Sequence, residues 1–273
     1  MSEAPIVYTT LAARHGILWL ARAATMFRAA PLPWLMLMFV YYLLVSVLEF
    51  GPWASVGQFV APVLRPVFAV GFLAAAWTQE RGGSPRFEHL FRGFRSDLVA
   101  LLALGVVFLA GAVVAIRATA LVDGGVLIAL LSGTTRPSEA VLTSGPVQGA
   151  MLLGGLCALP VVLAIWFAPA LVVFNDARTR SALSISLRAA LANWRAIGVY
   201  ALAVFAFGGI VPVAVMAIAQ ALGDAEAALV ALLVVMPYMF VFVATLHISD
   251  YLCYRDVFPA DEPLDAAPAP MVA

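Results

Sequence analysis

The chain contains no lysine, and its charge is sparse. Fifteen arginines balance fifteen aspartates plus glutamates, and charged residues make up only 11% of the 273 positions. With no net charge, the composition points neither to nucleic acid nor to a strongly acidic soluble partner. Cysteine is nearly missing. Cys157 and Cys253 stand far apart, form no CxxC pair or metal-ligand spacing, and read as free thiols in packing roles. Catalytic signatures are lacking as well: there is no HExxH, GxSxG, Walker loop or GxGxxG, and Asp224 stands in ALGDA rather than in a GxGD string within a span. These absences leave no catalytic residue, cofactor or metal to assign, and the expectation is that the chain is not an enzyme.

What the chain has in quantity is apolar length. It is 64% hydrophobic, and several of its runs reach the ~20 residues that a hydrocarbon core of ~30 Å requires. The expected fold is all-α, a polytopic membrane bundle forming one transmembrane domain over residues 1–258, followed by a flexible cytoplasmic tail at 259–273. Six spans are expected, at 32–50, 54–78, 98–122, 147–174, 196–222 and 227–249. No cleavable signal pattern precedes the first, whose apolar run is too long for a signal peptide. The longest loop, 123–146, is rich in Gly, Ser, Thr and Pro around VLIALL, an apolar patch too short to span.

Three amphipathic segments precede outward spans. In 11–29, Arg14, Arg22 and Arg28 share one arc of a helical wheel, with Ile17, Trp19, Leu20, Met26 and Phe27 on the other. In 85–95, Ser84 is placed to cap a helix beginning at Pro85, and Phe87, Leu90, Phe91 and Phe94 follow helical spacing. In 181–195, Leu183, Leu187, Leu191 and Trp194 form a stripe with Arg188 and Arg195 off it. All three are expected to lie as interfacial helices on the cytoplasmic surface. Each with its two following spans makes a unit, 11–78, 85–174 and 181–249, in the same orientation, as a parallel repeat would be. Each returning span carries a proline near mid-depth: Pro66, Pro160 and Pro237.

Arginine also sets orientation. Three precede span one; Arg81, Arg86, Arg92 and Arg95 occupy the second loop, Arg136 stands alone in the third, and Arg178, Arg180, Arg188 and Arg195 fill the fourth. The first and fifth loops have none. By the positive-inside rule both termini are cytoplasmic in a bacterial inner membrane, as six spans require.

The string ALSISLRAALANWRAIGVYALAV, following FAPALVVFND, resembles a broad group of bacterial integral membrane proteins related to the membrane domain of some glycerophosphodiester phosphodiesterases. The resemblance extends to GFLAAAWTQERGGSPRFEHLFRGFR and covers most of residues 55–205. It implies a six-span inner-membrane bundle. Hydrolysis in the fused enzymes belongs to a soluble domain, so no catalytic residue carries over.

The site candidates are the charges in or near spans. Arg65 lies well inside span two, where a guanidinium needs a partner or a wet cavity. Two readings are open: a structural ion pair with Glu49, or a contact to an anion or lipid headgroup. Arg117, near the outer boundary, can snorkel to the interface, and Arg188 and Arg195 are candidate contacts to anionic lipid. His247 and Asp250, three apart on span six, form a candidate polar pair, with no third polar group evident beside them. A non-enzymatic bundle that engages membrane lipids or partners ranks first. A transporter or lipid-handling protein built on the broken second span around Arg65 ranks second, and an intramembrane enzyme third.

Overall fold

The computed structural model describes residues 6–221, 223 and 225–259. Of the expected tail only Pro259 falls within them, and Leu222, the end of the expected fifth span, lies outside. Among the described residues the regular structure is helical throughout.

Helix α1, His15–Ala29, ends where Ala30 leaves helical dihedrals, and Pro31 starts α2, Pro31–Phe50, because a first-turn position needs no N–H. Gly51 turns the chain into α3, Ala54–Glu80, which is unbroken despite Pro62 and Pro66. A 3-10 helix, Phe87–Arg95, leads to α4, Leu98–Asp123, capped by Asp97 accepting the Ala100 N–H at 3.0 Å and closed by Gly124 at φ 67°. The long loop carries two short helices, α5 (Val126–Leu131) and α6 (Glu139–Leu142). Helices α7 (Gly145–Trp166) and α8 (Ala168–Asn175) form span four. Next come α9 (Thr179–Ala192), α10 (Trp194–Phe205), a π turn at Ala206–Ile210, α11 (Val211–Ala221) and α12 (Ala225–Val257). Six helical segments are long and apolar enough to cross a membrane: α2, α3, α4, α7 with α8, α10 with α11, and α12 from Leu229.

Several boundaries differ from the sequence reading. Span six continues past Ser249 to Val257, because its last two turns pack against α1 rather than ending at a membrane surface. The segment at 85–95 is a 3-10 helix, and Ser84 does not cap it; the Arg86 N–H instead donates to His89 Nδ1 at 2.9 Å. Three residues per turn align Leu90 with Gly93, and both are buried along α3. The approach is tight: a Cβ on Gly93 would fall 2.1 Å from the Val67 carbonyl oxygen, and one on Gly71 would fall 2.6 Å from Leu90 Cα.

The amphipathic segments also pack differently from free interfacial helices. Helix α1 docks on the C-terminal end of α12, the 3-10 helix on α3, and α9 on α7 and α8. Each thus seats on the returning span of the preceding unit, with the first closing onto the last, so three units interlock in a ring. Trp19 and Ala23 of α1 and Leu90 are fully buried by this arrangement. On α9 the covered face is small, Ala182, Ser186, Ala189 and Ala190, while Leu191 and Trp194 stay 54% and 64% exposed beside the exposed Arg188 and Arg195.

Polar contacts bind this layer. Asp256 accepts from Trp19 Nε1 at 3.1 Å and from Arg22 at 2.8 Å, and Arg255 bridges it to Glu80 on α3. Gln79 accepts from Trp34 Nε1 and donates to the Met26 carbonyl, both at 2.7 Å. The Thr9 N–H donates to the Val257 carbonyl, so the first and last described segments meet on one face of the bundle. That face is rich in arginine; the loop with α5 and α6 marks the other.

Candidate functional site

Span four breaks at Phe167, where α7 stops and Pro169 sits in the first turn of α8. A broken helix at membrane depth needs its freed backbone groups satisfied by something else. Ser186 of α9 does this: its hydroxyl donates to the Leu163 carbonyl at 2.9 Å and accepts the Phe167 N–H at 3.0 Å, inserting into the i→i−4 ladder. The break turns Trp166 and Pro169 toward the centre of the bundle. There, α3 contributes Arg65, Pro66 and Phe72, α4 Phe108, α10 Tyr200 and Val204, and α12 His247, Asp250 and Tyr254.

Together these residues line a cavity of about 440 Å³, within the ~300–1,000 Å³ usual for small-molecule sites, and partly open to the surface, where Arg65 is exposed. Its walls are mainly apolar, with polar groups at the ends. Arg65 lies toward the loop face. His247 and Asp250 lie toward the arginine-rich face, some 10 Å further along at ~1.5 Å per residue, because His247 stacks on Phe72, seven residues past Arg65. The His247 and Phe72 rings are 3.9 Å apart and tilted by only 10°. His247 Nδ1 is 3.7 Å from Asp250 Oδ2. Tyr200 and Ser249 hydroxyls lie 2.7 Å apart, and the Tyr254 hydroxyl donates to Asn175 Oδ1 at 2.6 Å.

Arg65 is the cavity's unanswered charge. Its guanidinium lies 5.7 Å from the Phe108 ring centroid. The ion pairs among the described residues join Arg22, His247 and Arg255 to Asp256, Asp250 and Glu80, and none includes Arg65. The expected Glu49–Arg65 pair is therefore absent. The reason is depth: α2 and α3 cross at Leu48 and Gly57, where a Cβ on Gly57 would fall 1.6 Å from the Leu48 oxygen. Glu49 is level with that crossing, while Arg65 is eight residues, ~12 Å, farther in. Pro62 and Pro66 lack N–H groups, so the carbonyls four residues before each lose their usual helical donors near the same spot.

The other candidates divide. His247 and Asp250 share the cavity with Arg65, and the third polar group that the sequence did not reveal is present as Tyr200 and Tyr254. Arg117 is exposed on α4, six residues before its end, away from the cavity. Arg188 and Arg195 are exposed on the arginine-rich face, the latter with its guanidinium 5.3 Å from the Trp194 ring. Sequence reasoning missed the Glu80–Arg255–Asp256–Arg22 network and the inward face of α12. The signal for the latter was there: His247, Asp250, Tyr251 and Tyr254 recur at helical spacing in LHISDYLCY.

No protein-family model and no solved structure matches the chain. A protein of Burkholderia thailandensis, described as a probable inner membrane protein, is 32% identical over 260 residues, covering 93% of this chain and 94% of its own length. The chain therefore belongs to the same family as that inner-membrane protein, and it folds as an all-α bundle with six helices of membrane-spanning length and apolarity.

Proposed function

We propose that the protein is a non-enzymatic lipid-handling protein of the bacterial inner membrane that holds an anionic amphiphile in the cavity between its returning spans. The observation that carries this reading is Arg65, a guanidinium inside a span, on a cavity wall, with no carboxylate partner among the described residues. A charge at that depth is costly unless an anion, water or free carbonyls meet it. Helix side chains lean toward the N-terminus, so the Arg65 head sits on the loop-face side of its own Cα. A headgroup there would leave its chain among Phe72, Leu73, Ile165, Val243 and Leu246.

Lipid engagement at the surface belongs to the same proposal. Arg188 and Arg195 beside exposed Leu191 and Trp194 suit the anionic headgroups of one leaflet. The arginine distribution supports placing that face, and both termini, in the cytoplasm. A purely surface-acting role has less support, because Trp19, Phe27 and Leu90 are committed to protein packing. The kinship to the membrane domain of glycerophosphodiester phosphodiesterases rests on the residue strings alone, since the relative's description names no such enzyme.

The test is mass spectrometry of lipid extracted from protein purified in mild detergent from membranes containing phosphatidylglycerol. Wild type should carry anionic lipid at a fixed ratio to protein, and Arg65→Gln should carry much less. Equal retention by both would remove Arg65 from the function.

A further inference from the structure

We propose that the cavity opens sideways into the bilayer between spans four and five, and that an acyl chain enters it there; this rests on the amphiphile reading above and names its route. Around the cavity, α3 packs on α4, α4 on α7, α3 on α12, and α12 on α11. Helices α7 and α10 do not pack along their lengths, whereas span five is tied to α12 by the Tyr200–Ser249 hydroxyl contact and, farther along, by α11. Toward the arginine-rich face the side between α7 and α10 is shut by the rings of Trp166 and Tyr200, whose centroids are 5.6 Å apart, and by α9 lying against α7. Beyond those rings the lining of the two helices is Val162 and Ile165 on one side and Val204 on the other. An apolar mouth at this depth admits hydrocarbon and discourages water.

Span five is built to tolerate a gap. None of its apolar window is buried inside the protein. Two residues beyond Val204 the α ladder gives way to the π turn at Ala206–Ile210, which contains Gly208 and Gly209. The Tyr238 hydroxyl of α12 donates to the Phe207 carbonyl at 2.7 Å, pinning the turn to its neighbour. Span five is thus anchored through α12 above and α1 below, leaving the Val204 level unsupported on the α7 side.

Site-specific photocrosslinking separates this route from the anion reading. Benzoylphenylalanine replaces Phe108, an aromatic residue on the far wall, in protein reconstituted into nanodiscs of phosphatidylcholine with phosphatidylglycerol. A control carries the probe at lipid-facing Leu202, and a plugged form adds Val204→Trp. Illumination should give lipid adducts at position 108 and at 202, and Val204→Trp should cut the adduct at 108 several-fold while sparing 202. The probe at Ile165 serves as the second site if the Phe108 variant elutes abnormally. Adducts at 202 alone, or adducts at 108 that persist unchanged in the plugged form, would overturn the lateral mouth. Because chain entry does not require an anionic headgroup, adducts at 108 should also form in pure phosphatidylcholine. Loss of the Arg65 effect on lipid retention with adducts at 108 intact would therefore sink the anion reading and leave the mouth standing.

Discussion

The Ser186 hydroxyl accepts the Phe167 N–H at 3.0 Å while donating to Leu163, so a residue of a neighbouring helix completes the backbone of a broken span. Phe167 is 1% exposed, leaving water no access to that amide. Ser186→Ala should cost about 1–3 kcal/mol, the cost of a buried backbone group without a partner. Thermal unfolding in detergent measures it. A loss below about 0.5 kcal/mol would mean that α7 and α8 close into one continuous helix without the hydroxyl.

Asp256 ties α12 to α1 through two donors of unequal weight. Trp19 is wholly buried, whereas the Arg22 side chain is 40% exposed. Asp256→Ala, which orphans the indole N–H as well as the guanidinium, should cost about 1–3 kcal/mol. Arg22→Ala should cost less than about 1 kcal/mol, as partly exposed pairs do. Equal losses for the two variants would show that the indole bond contributes nothing.

His89 joins the 3-10 helix to its own first turn. Its Nδ1 accepts the Arg86 N–H, which requires that nitrogen to be unprotonated, and its Nε2 is 3.3 Å from Thr78 Oγ1. Burial holds the imidazole below its ordinary value of 6.5, helped by the charges of Arg86 and Arg92 and opposed by Glu88. A histidine depressed in the folded state contributes stability that is complete above 6.5 and is lost as pH falls through the folded value. Melting temperature measured between about pH 8 and 5 should fall with acid in wild type and fall less in His89→Asn. Parallel curves would place the acid sensitivity elsewhere.

Orientation is open to direct measurement. Reporter tags inserted at the Gly82–Gly83 turn and fused at either terminus should report cytoplasm, and one at Gly133 in the long loop should report periplasm. A cytoplasmic signal from Gly133 would invert the bundle and, with it, the leaflet that Arg188 and Arg195 face.

The spans were legible because apolar length is a one-dimensional property, and all six first residues expected fall within two positions of the spans formed. Which surface an amphipathic helix covers is not one-dimensional. The stripe at Trp19 and Phe27 reads the same whether lipid or α12 lies beneath it, and only the fold supplies α12. The central cavity was hidden for a related reason. Arg65 was visible as an isolated charge, but its distance from Glu49 depends on where α2 and α3 cross, which the close contact of Gly57 with Leu48 decides. Tyr200 and Tyr254 come from helices far apart in sequence and meet only around the axis of the three interlocked units.

The central claim is that Arg65 receives an anionic headgroup, and ligand-induced stabilisation tests it most directly. Anything that binds the folded state and not the unfolded one raises stability with concentration. Phosphatidylglycerol titrated into delipidated protein in detergent should raise the melting temperature of wild type and of Glu49→Leu progressively. Phosphatidylcholine should do so far less. Arg65→Gln should show no more response to phosphatidylglycerol than to phosphatidylcholine. A full phosphatidylglycerol response in Arg65→Gln would contradict the account.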